Sequence, residues 1–516
     1  MALAPRTKTR AVASLLRPVV TARGRQQRVL QLTTAAFFLS FVVWFNFAPF
    51  AVAIGKDLGL TPAQLAVLGL CNLALTAPAR IFVGRLLDRV GPRRLYGGLL
   101  IFSVVPNTVF ACASSYSVLV ASRLLIGLVG AGFVVGIRMV SEWFDHEEMG
   151  TVEGIYGGWG NFGSAAAALG LPPLAAAIAG GAGAWRWGIA ASGVVAAVYG
   201  VIYLLTVQDT PAGRRYERTR KAAALEVTSP RAVIGLAAMQ LPMPLTLGLV
   251  AWRIERAGVL SSSGLVAVLV GLVVFGAYLV AGVVRANRTA LRDEHPESER
   301  YPFSSVLVLS LAYFVTFGAE LTVVSLLPTF FAQTFGLKIA AASAAGSAFA
   351  FTNLVTRPGG GIASDVARSR VRVLVVLLAG TSLSFLAMAT MSDAWPIAVG
   401  VALIALASVF VQGGNGAVFA MVPLVRRRAG GQIAGIAGSY GNVGGVLFSS
   451  LLFFTIDERH PIGNTRLLFV VIAAAAALVA VLCRFLPART PVEEAARDAE
   501  LDAMLDSVPA TEIALG

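Results

Sequence analysis

The stretches GIYGGWGNFG (154–163) and GIAGSYGNVG (435–444) decide the fold of this chain, because they are two copies of one pattern. Each copy is rich in glycine and carries one asparagine, Asn161 or Asn442, at the same position. Neither copy comes directly after a predicted strand, and apolar sequence continues through both copies, so a phosphate-binding loop is not indicated. The two copies instead indicate an internal repeat with a long offset, whose unit contains a glycine-rich apolar helix.

Composition predicts an all-α polytopic membrane protein. Of 516 residues, 57% are hydrophobic and only 13% are charged, which is too little charge to cover a soluble protein of this length. The net charge of +14 comes from short Lys- and Arg-rich loops, a pattern of membrane topology and not of nucleic-acid binding. The three His and three Cys form no ligand pattern, so no metal or cofactor is predicted.

Fourteen apolar segments are long enough to cross a hydrocarbon core of ~30 Å. They cover residues 31–55, 62–87, 95–113, 116–143, 151–178, 186–207, 232–252, 264–284, 303–334, 340–363, 371–391, 395–424, 430–455 and 465–486. The segment at 232–252 is the weakest because it contains Pro242 and Pro244. A re-entrant or interfacial pair with its neighbour is the alternative for that segment.

Charge in the loops predicts the orientation. Basic loops at 88–94, 214–221, 367–372 and 426–428 alternate with loops nearly free of Lys and Arg, so the basic side and both termini are predicted to be cytoplasmic. The lipid bilayer that the chain spans is expected to be the cell inner (plasma) membrane. The predicted regions are an N-terminal tail (1–30), a six-helix half (31–210), a linker with two extra helices (211–301), a second six-helix half (302–486) and a C-terminal tail (487–516).

Further motifs repeat between the halves. Arg80 precedes Asp88 by eight residues, as Arg357 precedes Asp365. Two pseudosymmetric six-helix halves are typical of the major facilitator architecture, here with an inserted central pair of helices. The stretch GRLLDRVGPRR (84–94) resembles the major facilitator loop between helices 2 and 3. A conformational-gating motif is therefore predicted at Gly84, Asp88, Arg93 and Asp365.

Two Arg and two Asn are predicted to meet at mid-membrane. Arg80 and Arg357 each lie about 12 Å from the Asp that marks the cytoplasmic end, at ~1.5 Å per helical residue. Asn161 and Asn442 reach a similar depth from the same side, at ~16–18 Å. Charges inside spans are costly and often mark a pathway, and paired guanidiniums suit an anion. The alternative is that each Arg pairs with backbone carbonyls or a helix end.

One acid also falls inside a predicted span. Glu320 lies in YFVTFGAEL (313–321), beyond the midplane toward the outside. A carboxyl in that position can carry a proton during transport. A hydrogen-bonded structural acid is the alternative role for Glu320.

The paired glycine-rich motifs resemble the signatures of the nitrate/nitrite porter family, a branch of the major facilitators. The stretches VTRPGGGIASD (355–365) and GNGAVFAMVP (414–423) are similar to that family as well. The resemblance implies that two Arg bind the anion and that aromatic rings sandwich it. The implied substrate-binding residues are Arg80, Arg357, Asn161, Asn442, Phe41, Phe133, Tyr313 and Phe317.

The resemblance implies a transporter of nitrate, nitrite or both, and no enzyme activity is predicted. Glu320 and the inserted helices are similar to the proton-linked nitrate symporters, so uptake coupled to protons by a monomer is the favoured hypothesis. Exchange of nitrate for nitrite is the first alternative. Transport of another small organic anion or a drug, and a membrane sensor that binds the anion without moving it, are further alternatives.

Overall fold

The first half of the chain forms a bundle of membrane-length helices, several of them broken once. The computed structural model describes residues 7–181, 183–213, 216, 224–292, 301–337, 339–367, 369–426, 429–455 and 463–487. The helices of this half are α1 (Thr7–Phe45), α2 (Ala51–Leu58), α3 (Pro62–Ala74), α4 (Thr76–Val90), α5 (Pro92–Phe102), α6 (Val104–Ala111), α7 (Tyr116–Gly127), α8 (Gly132–Trp143), α9 (Met149–Asn161), α10 (Gly163–Ile178) and α11 (Ala184–Thr206).

The second half repeats this arrangement after an insert. The insert contains α12 (Pro230–Ala238), α13 (Pro242–Arg256), α14 (Ser262–Ala286) and α15 (Arg288–Leu291). The second half contains α16 (Phe303–Phe335), α17 (Ile339–Phe351), α18 (Asn353–Val366), α19 (Arg370–Met388), α20 (Ile397–Met421), α21 (Gly430–Phe454) and α22 (Thr465–Leu482). The described residues contain no strand, as an all-α fold requires.

Helical stretches coincide with all fourteen predicted segments. Twelve of them, within the described residues, are long and apolar enough to cross a membrane. The other two stretches are α17 with α18, and α21, so the full count of fourteen spans stays a prediction. The weakest segment is one of the twelve, because α12 and α13 together form a membrane-length stretch, Pro230–Arg256, with Pro242 at the start of α13.

Some predicted regions differ from the structure or lie outside it. The first helix begins at Thr7, well before the predicted end of the N-terminal tail at residue 30. Nearly all of the basic linker 214–221 and of the tail 487–516 lies outside the described residues, as do residues 427–428 of the basic loop 426–428. The boundaries of the five predicted regions therefore stay predictions.

The two halves meet along two helix pairs, each made of one helix from either half, which we call the crossed helix pairs. α4 of the first half packs on α21 of the second, and α9 packs on α18. A Cβ built on Gly84 of α4 would lie 2.5 Å from the Gly431 carbonyl oxygen, so only glycine allows this approach. Gly150 of α9 and Gly361 of α18 approach each other closely in the same way. Small residues at an interface let helix backbones pack closely in a membrane.

The inserted helices cover the α4–α21 contact from outside. Met243 of α13 and Leu279 of α14 pack in one buried cluster with Ile81 of α4 and Val443 of α21. The Tyr440 hydroxyl of α21 donates to the Met239 carbonyl, 3.1 Å away. The insert therefore contacts both halves at the place where they meet.

One residue of the linker is fixed beneath the first half. The Tyr216 hydroxyl donates to the Leu87 carbonyl over 3.0 Å, and the Arg138 guanidinium lies 5.3 Å from the centre of the Tyr216 ring. Burial raises the pKa of the Tyr216 phenol to about 12, so its hydroxyl stays protonated and can keep donating. This contact ties the linker to the end of α4.

Candidate functional site

Arg80 extends from α4 into the centre of the molecule and is fully buried. Its Nη1 donates to the Gly438 carbonyl of α21 over 2.7 Å, and its Nε donates to the Gly130 carbonyl over 3.3 Å. The guanidinium lies 5.3 Å from the centre of the Phe133 ring and 5.2 Å from that of Phe317. Its Nη2 has no hydrogen-bond partner among the described residues.

Arg357 extends from α18 of the other half toward the same place. Its guanidinium lies 5.2 Å from the centre of the Phe133 ring, so both Arg side chains lie against one aromatic ring. Its Nη2 donates to the Tyr313 hydroxyl over 3.4 Å, while its Nε and Nη1 have no partner among the described residues. The two halves thus each supply one buried cation with unused donors.

An aromatic wall surrounds the two guanidiniums. The rings of Phe133 and Tyr313 are parallel within 2°, with centres 6.1 Å apart, and Tyr313 is parallel to Phe317 within 5° at 4.8 Å. Phe419 stands edge-on to both Phe133 and Tyr313, at 4.7 Å from each. A flat anion between such faces would be oriented by rings and bound by guanidiniums.

Phe41 differs from the other predicted aromatic residues. Its ring packs on Phe37 with the centres 4.6 Å apart, and it also contacts Trp44 and Phe45. Phe37 in turn lies 5.2 Å from Phe133. Phe41 therefore supports the aromatic wall through Phe37, in a second layer of rings.

Asn161 and Asn442 are buried near the crossed helix contacts. Gly157, one turn before Asn161 on α9, lies against the Arg357 guanidinium, and Gly438, one turn before Asn442 on α21, accepts from Arg80. Both amide atoms of Asn161 are without a partner in the described residues, and Asn442 uses only its Nδ2. Each Asn thus keeps hydrogen-bonding capacity close to the Arg of the opposite half.

Glu320 lies in a polar cluster inside the second half. Its Oε1 accepts from Asn353 Nδ2 over 2.7 Å, and its Oε2 accepts from Asn415 Nδ2 over 2.6 Å. Asn353 precedes Arg357 by one turn on α18, so this cluster borders the anion-binding cation. Both carboxylate oxygens of Glu320 are therefore hydrogen bonded.

The predicted gating residues lie at the predicted cytoplasmic ends of the crossed helix pairs. The Asp365 carboxylate accepts from the backbone N–H groups of Gly150 and Thr151, at 2.9 and 2.5 Å, at the start of α9. Asp88 lies against Gly431 at the start of α21, but neither of its carboxylate oxygens has a hydrogen-bond partner among the described residues. Negative charge is favourable at helix N-termini, so Asp365 stabilises α9 by hydrogen bonds and charge, and Asp88 stabilises α21 by its charge.

Arg93 does not share this arrangement. Its Nε donates to the Leu204 carbonyl over 2.7 Å, and its backbone N–H donates to Asp209 over 2.7 Å. Both contacts lie within the first half. In this conformation Arg93 ties α5 to the end of α11 and is separate from the contact between Asp88 and α21.

Several residues of the site were not predicted from sequence. Phe419 ends the stretch QGGNGAVF (412–419), which is the weak repeat of GAGFVVG (130–136), and Phe133 belongs to the first copy. Aligned on their G-x-G residues, the two copies place Ala417 opposite Phe133, so the repeat does not predict Phe419. Asn353 and Asn415 gave no signal, because single Asn residues within apolar helices reveal no partner in the sequence.

Comparison with known proteins identifies the family. A model of the Major Facilitator Superfamily matches residues 33–292 and 309–513. This chain belongs to the major facilitator superfamily. The predicted fold, with two six-helix halves, is thereby confirmed.

Relatives within the superfamily carry names that agree with the resemblance of the motifs. The nitrate/nitrite transporter NrtP of Picosynechococcus sp. is 44% identical over 492 residues, covering 89% of this chain and 92% of that protein. NrtP of Nostoc punctiforme is 45% identical over 466 residues, covering 89% and 91%. The high affinity nitrate transporter 2.7 of Arabidopsis thaliana is 27% identical over 457 residues, covering 87% and 81%.

Solved major facilitator structures share the fold at low sequence identity. The proton:xylose symporter XylE bound to 6-bromo-6-deoxy-D-glucose has a TM-score of 0.61 and 14% identity, covering 92% of this chain and 99% of that one. The human organic anion transporter MFSD10 has a TM-score of 0.58 and 14% identity, covering 89% and 99%. Both similarities concern the fold alone.

Proposed function

We propose that this chain transports nitrate, nitrite or both across a membrane by alternating access. The carrying observation is that one buried guanidinium from each half, Arg80 and Arg357, lies against the ring of Phe133. Neither Arg forms an ion pair within the described part of the chain. Two buried cations that no acid contacts directly are unfavourable in a region of low dielectric, and a bound anion would stabilise both. The names of the NrtP relatives support nitrate and nitrite as that anion.

The proposed site fits a small planar anion. The unused donors are Nη2 of Arg80 and Nε and Nη1 of Arg357, to which the Asn161 amide can add. Nitrate is flat and accepts weak hydrogen bonds, so it gains from charge and from stacking against Phe133 and Tyr313. Arg80 and Arg357 come from different halves, so binding also draws the halves together.

Uptake coupled to protons is the favoured mechanism, with Glu320 as the candidate proton carrier. Glu320 is buried and accepts a hydrogen bond from Asn353, which is one helical turn from Arg357. The charge of Glu320 therefore influences how tightly an anion binds at Arg357, and the bound anion influences the protonation of Glu320. We expect Glu320→Gln to impair accumulation driven by a pH gradient more than counterflow exchange of labelled nitrate. Unchanged dependence on the pH gradient in that variant would assign the coupling to another group.

Exchange of nitrate for nitrite is the second candidate function. One observation favours it: both oxygens of Glu320 already accept amide hydrogen bonds, which suits a structural carboxylate that keeps its charge. One singly charged anion can replace another between the two Arg residues without any proton.

Transport by purified protein in proteoliposomes tests the proposal. Symport predicts that a pH gradient, acidic outside, drives accumulation of labelled nitrate into vesicles without internal anion. Exchange predicts that internal nitrite is required and that the gradient has little effect. Absence of nitrate and nitrite flux under both conditions would overturn the proposed function.

The cellular setting follows from the same proposal. We place the chain in the cell inner membrane as a monomer, with both termini on the cytoplasmic side. The orientation is supported by the basic loop pattern, for example GPRR at 91–94 against the uncharged CASSYS at 112–117.

A further inference from the structure

A second buried acid, Glu153, lies on the glycine-rich helix α9. Only 1% of its surface is exposed, and neither carboxylate oxygen has a hydrogen-bond partner among the described residues. A buried carboxyl without partners is costly, and such groups inside a membrane protein tend to be functional. Glu320 differs, because both of its oxygens accept amide hydrogen bonds.

The position of Glu153 relates it to Arg357. Gly154, the next residue, packs on the Arg357 carbonyl, and Gly157, one turn further, lies against the Arg357 guanidinium. Glu153 and Gly157 are four residues apart on α9, so the Glu153 side chain lies on the helix face that meets Arg357. Arg357 has two donor nitrogens without partners, and Glu153 has two acceptor oxygens without partners. The Arg357 donors and the Glu153 acceptors are therefore complementary in charge and in hydrogen bonding, and one turn of α9 separates Glu153 from the glycine that contacts Arg357.

Other charged groups on the elements around Glu153 already have contacts or lie apart. Asp365 on α18 is paired with Arg370 and with the start of α9. Arg138 and Glu142 on α8 pair with each other. The exposed groups are Arg23, Arg25 and Arg28 on the early part of α1, and Glu147 and Glu148 just before α9. The helices α10 and α20 carry no Asp, Glu, Lys, Arg or His. Arg357 is therefore the cation that Glu153 faces at the centre.

Charge balance at the site gives Glu153 a role. Arg80 and Arg357 contribute two positive charges, and Glu153 and Glu320 contribute two negative charges when both are ionised. A bound anion then adds one net negative charge in a region where net charge is unfavourable. One proton restores neutrality, and Glu153 is the acid whose oxygens are free to receive it.

We propose that Glu153 is the internal counter-ion of Arg357, which the transported anion displaces, and that the displaced carboxylate takes up one proton for each anion bound. The step moves one proton from water onto a Glu153 oxygen, forming its O–H bond, while the anion takes the place beside Arg357. The inference rests on the proposed function, because the displacing ligand is nitrate or nitrite. It makes binding itself, and not only the movement of the halves, dependent on protons.

Calorimetric titration of the purified protein with nitrate across a pH series tests the inference. For the wild type we expect the apparent Kd to rise about tenfold per pH unit where Glu153 is ionised, as one linked proton requires. Glu153→Gln is expected to bind nitrate with little dependence on pH. Glu153→Asp, which keeps an ionisable group, is expected to restore the dependence. Glu147→Gln, an exposed acid just before α9, serves as the control and should behave as the wild type does.

The number of protons can be measured without any variant. In the pH range where the Kd of the wild type depends on pH, titrations in buffers with different enthalpies of ionisation should give an uptake of one proton per nitrate bound. Zero protons, or a full pH dependence in Glu153→Gln, would overturn the inference. If Glu320→Gln alone abolishes the pH dependence, Glu320 is the linked acid and the role of Glu153 is refuted. Wild-type protein that binds neither nitrate nor nitrite would instead refute the proposed function.

Discussion

At the residue scale, the identity of the two central cations matters more than their charge. The Arg80 guanidinium bonds the Gly438 and Gly130 carbonyls and also lies against two rings. A Lys ammonium keeps the charge but cannot keep a planar fork of donors together with stacking. The same holds for Arg357, which contacts Tyr313 and Phe133.

We therefore expect Arg80→Lys and Arg357→Lys each to lower nitrate uptake strongly. Loss of a charged hydrogen bond costs about 1.5–3 kcal/mol, which corresponds to roughly a 10- to 150-fold lower kcat/KM. Initial rates of uptake in proteoliposomes, at equal amounts of reconstituted protein, give the measurement. Arg256→Lys is the control, since the side chain of Arg256 is 70% exposed. Normal uptake by either central variant would remove the two-Arg site.

The sequence predicted the charged part of the site better than its surroundings. Arg80 and Arg357 were predicted to meet because each precedes an Asp by the same number of residues, and both lie against Phe133. The second-layer position of Phe41 and the edge-on position of Phe419 depend on side-chain packing between helices. Sequence periodicity gives the depth of a residue in a helix but does not give these contacts.

At the element scale, the glycine-rich helix α9 allows a close approach between the halves. Gly157 faces the Arg357 guanidinium so closely that a Cβ would collide with Nε. Gly170 on α10, in contrast, has no heavy atom within 4 Å of a built Cβ. These two glycines provide a matched pair for testing whether the approach is required.

We expect Gly157→Ala to impair transport and Gly170→Ala to leave it intact. Overpacking costs about 1–3 kcal/mol, so the closed arrangement of the halves should be populated roughly 5- to 150-fold less. Nitrate uptake and thermal unfolding in detergent are measured for both variants. Equal transport by Gly157→Ala and the wild type would mean that α9 and Arg357 need not approach during the cycle.

Helix breaks were the part of the elements that the sequence did not predict. The stretch predicted as one segment at 151–178 divides at Phe162 into α9 and α10, and the one at 62–87 divides at Leu75 into α3 and α4. Hydropathy continues across both breaks, so length and composition predict a span but not where its helix is interrupted. Leu75 and Phe162 both keep right-handed helical dihedrals, and Thr76, next to the first break, donates to the Gly127 carbonyl over 2.5 Å.

At the scale of the whole molecule, the halves are held together at the predicted cytoplasmic ends of their crossed helix pairs. Asp365 of the second half binds the start of α9, and Asp88 of the first half lies at the start of α21. Arg80 and Arg357 are buried at the same time. A conformation closed on that side is therefore expected to open toward the other side. The orientation of the chain in the membrane decides which side that is.

Native cysteines allow that orientation to be tested directly. Cys112 is exposed, at the end of α6 in the loop predicted to face the outside, whereas Cys71 and Cys483 are buried. Because the positive-inside pattern places this loop opposite the basic side, a membrane-impermeant maleimide should label intact cells at Cys112. Cys112→Ser should remove that labelling without reducing nitrate uptake. Labelling of Cys112 only after the membrane is made permeable would place the basic loops and the Asp88 and Asp365 contacts on the outside, and the transporter would then be inverted relative to our proposal.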